Sequence, residues 1–348
     1  MYLRQITNRE AGQRLDRYLC KLLPMAGTGF LHKMLRKKNI TLNGKKAEGH
    51  EKLTAGDQIA LYFAQETLHK FMGHQPLEAA ETSAASKISA TGEYLAAYKA
   101  YPGIKIIYEN THILLADKPV GILTQKAAPS DRSLNEWLIG YLLTQGEITE
   151  AELAACRPSV CNRLDRNTSG IVLCAKSVQG AQLFSSLLQN RTLHKYYQLY
   201  VKGTLQDSQL IEGYLTKDSR HNRVSIQPHS RANDSSLTKE SYIRTHYRPL
   251  KAEADKTLVE VELLTGKPHQ IRAHLAGIGH PLLGDYKYGD KNWNDYYKKT
   301  CQIRSQLLHA CRVTFPELGP PFDDISGRTF QSGLPETFDR VSAQAARI

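Results

Sequence analysis

The chain has 348 residues, 41% hydrophobic and 23% charged, with a formal net charge of +12 and a pI near 9.3. That length supports one large and one small domain, each with its own core, and the longest apolar runs are of strand length, which excludes a membrane-spanning helix. The basic excess points to a polyanionic partner, and Met1-Tyr2-Leu3-Arg4-Gln5 lacks the apolar stretch of a secretory signal, so the cytoplasm is the expected compartment.

Residues 12–63 read as a compact unit. A first helix, Arg14–Leu23, places Leu15, Leu19, Leu22 and Leu23 at helical spacing and leaves Asp16 as a solvated position. A second helix, Phe30–Lys38, lines one face with Phe30, Leu31, Met34 and Leu35 and marks the other side with Lys33, Arg36, Lys37 and Lys38. Short strands follow at Ile40–Leu42 and Gln58–Phe63, with turns at Asn43-Gly44 and Gly56-Asp57. Residues 1–63 hold 12 Lys/Arg against 5 Asp/Glu, so this small segment carries much of the positive charge. Cations at a helix end can simply complement the helix dipole, but a stripe at 33, 36 and 37 also suits phosphates.

Residues 64–103 read as a linker, with Ala79–Glu93 rich in Ala, Ser, Thr and Glu. From residue 104 the chain is strand-rich: Ile106–Tyr108, Ile113–Ala116, Ile171–Ala175, Tyr196–Lys202, Ser241–Thr245 and Thr257–Leu264. Helices are expected at Ser133–Leu143, with Ser133 and Glu136 as a capping box, and at Val178–Leu188. Strands outnumber helices without regular alternation, which predicts an α+β domain with a mixed or largely antiparallel sheet.

The octapeptide Arg163-Leu-Asp-Arg-Asn-Thr-Ser-Gly170 sets Asp165 between two arginines ahead of an apolar strand. Opposite charge nearby favours the ionised acid, and a loop carboxylate of this kind can serve as nucleophile or base. The tetrapeptide itself proves little, because Arg14-Leu15-Asp16-Arg17 repeats it on a helix. An Asp before a turn is also commonly a turn residue. What distinguishes the second copy is its Thr168-Ser169-Gly170 tail. Tyr196 and Tyr197 alternate on a strand, so one should face the core and the other a site. His269, His274 and His280 match no zinc spacing, so no metal is expected there. The six cysteines form no Cys-x-x-Cys pair and read as reduced, mostly buried thiols.

The octapeptide, Lys195-Tyr196-Tyr197, Thr265-Gly266-Lys267-Pro268-His269-Gln270-Ile271-Arg272, Gly279–Gly289, Lys118-Pro119-x-Gly121 and Leu308-His309-Ala310 together resemble the RluA-type RNA pseudouridine synthases, from about Ile106 to Phe315. Residues 12–62 resemble the S4 RNA-binding fold, carried by Arg14-Leu15-Asp16, the basic second helix, Asn43-Gly44 and Gly56-Asp57. The resemblance implies an S4-like domain at 1–63 and a catalytic domain at 104–348. It implies Asp165, Tyr197 and Arg272 as catalytic residues: the essential acid, the tyrosine that stacks on the uracil and the arginine paired with the acid. Arg163, Leu164, Thr168, Lys195 and His269 are the implied substrate contacts. Arg14, Arg17, Lys33, Arg36, Lys37 and Lys38 are the implied RNA contacts of the small domain. A monomeric enzyme is expected, acting on structured RNA, foremost 23S ribosomal RNA. The isomerisation adds no group and changes no oxidation state, so it needs neither cofactor nor metal, and chelators should leave activity untouched. A synthase for transfer RNA and a non-catalytic ribosome-assembly protein are the rival readings. A glycosidase would need a second acid, and the sequence offers none beside Asp165. Two positions depart from the family pattern: Asn162 replaces the usual His, and Lys267 the usual Arg. Residues 144–156 read as a variable insertion.

Overall fold

Hydrophobic spacing dictates the first elements of the computed structural model, which describes residues 1–73, 91–218, 223–227 and 241–344. The N-terminal body contains β1 (Tyr2–Gln5), α1 (Leu15–Leu22), α2 (Thr28–Arg36), β2 (Ile40–Leu42), β3 (Lys45–Lys46) and β4 (Gln58–Leu61). Helix α1 turns Leu15, Tyr18, Leu19 and Leu22 inward and α2 turns Leu31, Met34 and Leu35 inward, since residues three and four apart share a helix face. An antiparallel sheet in the order β1-β4-β2-β3 completes this body. Asn43 and Gly44 both take positive φ, 52° and 71°, as a two-residue hairpin turn requires. Asp16 is not freely solvated; it is half-buried and accepts from Arg14 Nη2 at 2.6 Å and from the Arg17 N–H at 2.7 Å.

Residues 64–103 are not all linker. Helix α3 (Gln65–Phe71) lays Leu68 and Phe71 on the N-terminal core, with the Phe30 and Phe71 rings 4.7 Å apart, so that body continues past residue 63. A further helix, α4, spans 91–100 and buries Tyr94 and Ala97. Each has too few turns for a clear period. Most of the Ala79–Glu93 stretch lies outside the described residues.

The chain divides into two compact units. The first comprises 1–115, 123–163 and 173–186, and the second 116–122, 164–172 and 187–348. The first unit therefore joins the N-terminal body to β5 (Lys105–Glu109), α5 (Leu134–Thr144), α6 (Glu150–Ala155), β7 (Ser159–Val160) and most of α7 (Val178–Asn190). Strands β6 (Ile113–Lys118) and β8 (Ser169–Ala175) contribute residues to both units. Ala155 joins the N-terminal core, and the Val178 N–H donates to the Arg9 carbonyl at 3.0 Å. Ser133 caps α5 by accepting from the Asn135 N–H, but the expected box does not form. Glu136, buried, accepts the Ser133 hydroxyl at 2.5 Å instead. A capping box does form at Thr149 and Glu152, inside the segment that reads as an insertion.

In the second unit the strand order is β11-β10-β12-β13-β9-β14-β8, with β15 on β14. These are β9 (His194–Lys202), β10 (Gln209–Asp218), β11 (Arg223–Gln227), β12 (Ser241–Ala252), β13 (Lys256–Leu263), β14 (Leu308–Thr314) and β15 (Thr329–Gln331). All these pairings are antiparallel except β14 with β8, so the sheet is mixed and the domain is α+β. Among the described residues three helices accompany it: α8 (Gln270–Gly277), α9 (Lys291–Cys301) and α10 (Glu336–Ala343). Among the described residues no helix is long and apolar enough to cross a membrane. Among the described residues the six cysteines form no disulfide, and four of them are buried.

Candidate active site

Asp165 sits in a tight turn just ahead of β8, closed by the Thr168 N–H donating to the Asp165 carbonyl at 3.0 Å. The turn is fastened from two sides. Gly170 has φ +106°, and a Cβ there would lie 2.2 Å from the Ala310 carbonyl oxygen of β14, so only glycine fits. Beside it, buried Ser169 Oγ and His309 Nδ1 lie 2.9 Å apart. On the other side Lys118, fully buried at the end of β6, donates to the carbonyls of Pro119, Ile122 and Arg166 at 3.0, 3.0 and 3.2 Å. Burial draws its ammonium down to about 8, with Asp165 and Asp117 pulling the other way. The Gly121 N–H and the Arg166 guanidinium complete the lacing, at 2.9 and 3.0 Å.

The neighbouring arginines are not what holds Asp165. Arg166 is turned to the Gly121 carbonyl, and Arg163 is exposed. The cation is Arg272 of α8, whose Nη1 donates to Asp165 Oδ2 at 2.9 Å. Its Nε and Nη2 grip Asp285 at 2.7 and 2.9 Å, a two-pronged pairing. Asp285 has no exposed side-chain surface and also accepts the Lys287 and Tyr288 N–H groups at 2.9 and 3.2 Å. Burial works against its charge, but Arg272 and those two N–H groups win and hold its carboxyl below the ordinary range. Sequence reasoning missed Asp285, since a Gly-Asp pair reads as a turn. A second acid thus stands near Asp165, but it is held ionised behind Arg272 and has no proton to give, which leaves a glycosidase pairing incomplete.

His269 begins α8 in the left-handed region, φ 54°. Its Nε2 lies 3.9 Å from Asp165 Oδ2, and its Nδ1 lies 3.0 Å from the Tyr288 hydroxyl. Burial lowers its pKa and Arg272 and Lys287 add to this, with Asp165 and Asp285 opposing, so the ring is neutral at pH 7. On β9, alternation places Lys195 and Tyr197 on one face and Tyr196 on the other. Tyr196 carries the Arg312 guanidinium 3.7 Å over its ring. Tyr197 is buried, and burial together with the Asp165 charge pushes its hydroxyl well above the usual range. Lys195 is half-buried and its pKa is lowered, first by burial and then by Arg191.

The structure therefore brings Asp165, Arg272, His269 and Tyr197 into one electrostatic cluster. Leu164 and Thr168 are buried in the same turn, and Thr168 Oγ1 has no partner among the described residues. Asn162, unexplained in the sequence, accepts the Leu173 N–H at 2.7 Å through its carboxamide and so pins the start of the octapeptide. His274 is paired with Thr245 and His280 with the Lys202 carbonyl, as hydrogen-bonded structural histidines. Among the described residues no three His, Cys, Asp or Glu side chains gather as a metal site. In the N-terminal body Arg17, Lys33, Arg36, Lys37 and Lys38 are exposed, as are Lys45 and Lys46, which the sequence reading did not single out. Arg14 is exposed but engaged with Asp16.

Residues 112–277 match the family model described as RNA pseudouridylate synthase. Over nearly its whole length the chain is similar to ribosomal large subunit pseudouridine synthase C of Rickettsia bellii, at 29% identity across 96% of this chain and 98% of that protein. It is similarly close to synthase C of Vibrio vulnificus, at 28% identity across 88% and 85%. It also resembles an uncharacterized RNA pseudouridine synthase of Mycoplasma genitalium, at 28% across 90% and 88%. The human RNA pseudouridylate synthase domain containing 4 shares the fold, with a TM-score of 0.55 at 21% identity over 71% of this chain and 95% of that one. The family model and these relatives point to an RNA-modifying isomerase. By that match and these relatives, the chain resembles the RluA-type RNA pseudouridine synthase family.

Proposed function

We propose that this enzyme converts specific uridines of 23S ribosomal RNA to pseudouridine, in the cytoplasm, as a monomer without metal or cofactor. The observation that carries this reading is Asp165 held by a single N–H of Arg272 while Asp285 clamps the rest of that guanidinium. Names of the relatives favour a ribosomal target.

The target uridine leaves its stack, at a cost of a few kcal/mol. Stacking on the Tyr197 ring returns roughly 1–3 kcal/mol. Asp165 then either attacks C1′ or takes the C2′ proton, and the N1–C1′ bond breaks with its electron pair going to the uracil. The base turns, C5 bonds to C1′ as the Asp165–C1′ ester breaks or as C2′ takes back its proton, and the C5 proton then leaves, with Tyr197 the candidate base. Arg163, Leu164, Thr168, Lys195 and His269 contact the flipped nucleotide. The N-terminal body, read as an S4-like domain, docks the RNA backbone through Arg14, Arg17, Lys33, Arg36, Lys37 and Lys38, whose charge suits phosphates.

Asp165→Asn should abolish pseudouridine formation in 23S RNA while leaving RNA affinity within a few-fold. Mapping pseudouridine in total RNA with and without the gene identifies the site. Turnover by the variant would refute the role of Asp165; lost sites confined to transfer RNA would refute the ribosomal target.

A further inference from the structure

The hydroxyl of Tyr288 touches two groups. It accepts the Val224 N–H of β11 at 2.9 Å, and it lies 3.0 Å from His269 Nδ1. Its oxygen already serves as acceptor, so the phenolic hydrogen needs an acceptor of its own. Among the described residues Nδ1 is the one recorded within reach. A neutral imidazole carries one hydrogen, and an Nδ1 that accepts leaves that hydrogen on Nε2. Nε2 is the atom that faces Asp165, 3.9 Å away, on a side chain only 13% exposed. The ring is fixed further by the left-handed backbone of His269 and by its edge-on contact with the Tyr288 ring, 5.7 Å between centroids.

We propose that Tyr288 locks His269 as its Nε2–H tautomer, making His269 a neutral donor to the uracil O2 as the N1–C1′ bond breaks. This rests on the pseudouridine-synthase reading of the site. O2 is the carbonyl oxygen adjacent to the breaking bond, and a donor beside the acid that works at C1′ or C2′ stands on its side of the base. When the bond electrons pass to the uracil, charge spreads onto O2, and a fixed donor there stabilises the detached base more than the intact nucleoside. No proton need transfer: the uracil remains an anion until C5 bonds to C1′. His269 is then a catalytic residue, and Tyr288 a positioning residue that acts through it.

The tautomer is read directly from two-bond ¹⁵N–¹H correlations of protein labelled at histidine nitrogen, with His269→Gln supplying the assignment. Wild type should show the Nε2–H form; Tyr288→Phe should lose that preference and slow single-turnover isomerisation, while the folded state and RNA affinity persist. An Nδ1–H signal in wild type would overturn the proposal whatever the activity. The contact to O2 is tested with RNA bearing 2-thiouridine at the target, a weaker acceptor at that position. His269→Ala should slow the ordinary substrate roughly 10²-fold but the 2-thio substrate far less, and His269→Gln, which keeps an N–H donor, should recover part of the loss. Equal slowing of both substrates would refute the O2 contact. Loss of activity in Asp165→Asn alone speaks to the underlying reading, whereas the tautomer signal does not depend on it.

Discussion

Replacing Asp285 with Asn removes one charge and almost no volume, from a side chain with no exposed surface that holds Arg272 at 2.7 and 2.9 Å. The remaining amide can accept one of those bonds but turns an N–H toward the guanidinium. Arg272, 9% exposed, then keeps its bond to Asp165 and at most one to residue 285. Breaking one side of a buried ion pair costs about 3–5 kcal/mol. Asp165 is itself one-third exposed and offers a second carboxylate, so the low end of that range is expected. For a unit of this size each kcal/mol lowers Tm by roughly 2–4 °C, so the variant should melt about 6–12 °C lower. Loss of the clamp lets the guanidinium swing about its bond to Asp165, and a displacement near 1 Å can cost on the order of 10²-fold in rate. Asp285→Ala also strips the acceptors from the Lys287 and Tyr288 N–H groups and should do worse on both counts. Thermal unfolding by circular dichroism and single-turnover pseudouridine formation give the two numbers. A Tm within 2 °C of wild type with a rate within about threefold would show that Asp165 does not depend on the clamp.

Lys118 gives a pH signature. Its pKa falls from 10.5 to about 8 in the folded state, so between those values the unfolded chain holds a proton that the native state has released. Stability from this group therefore rises with pH across that window, by about 3 kcal/mol at its top. Urea midpoints of wild type should climb relative to Lys118→Met from pH 8 to 10, and parallel curves would refute the assignment. Gly170→Ala forces a Cβ against the Ala310 carbonyl and a strained φ, so it should shift the octapeptide and abolish activity even where soluble protein is recovered; near-normal turnover would contradict the geometry. Changing Lys33, Arg36 and Lys37 together to Gln should weaken RNA binding and lower the salt slope of the association constant by roughly one per lost phosphate contact, with single-turnover rate at saturation unchanged. An unchanged slope would remove the stripe from the interface.

Local patterns were legible wherever one face of an element meets solvent. Helix α1 showed its buried leucines, and Tyr196 and Tyr197 separated onto two faces as alternation requires. Elements covered on both sides gave no such signal. Gln270 to Leu275 are six consecutive buried residues, so α8 has no apolar period, and Leu308 to Cys311 are buried in a row, which hid β14. Asn162 and Asp285 were opaque for a different reason. Each acts through a hydrogen bond to a group 11 or 13 residues away, a distance that neither motif nor period encodes.

The two copies of Arg-Leu-Asp-Arg show why a short motif carries so little on its own. Asp16 spends its carboxylate on its own neighbours, the Arg14 guanidinium and the Arg17 N–H. In the second copy a glycine that only β14 can demand bends the chain, Lys118 holds the Arg166 carbonyl, and Arg166 points to Gly121. The flanking arginines are thereby taken away from Asp165, and its guanidinium comes from 107 residues further on. One oxygen contact is satisfied by Arg272 and a third of the side-chain surface stays open. Identical sequence gives a spent acid in one copy and an available one in the other, and the difference lies in which cation the fold delivers and how tightly Asp285 restrains it.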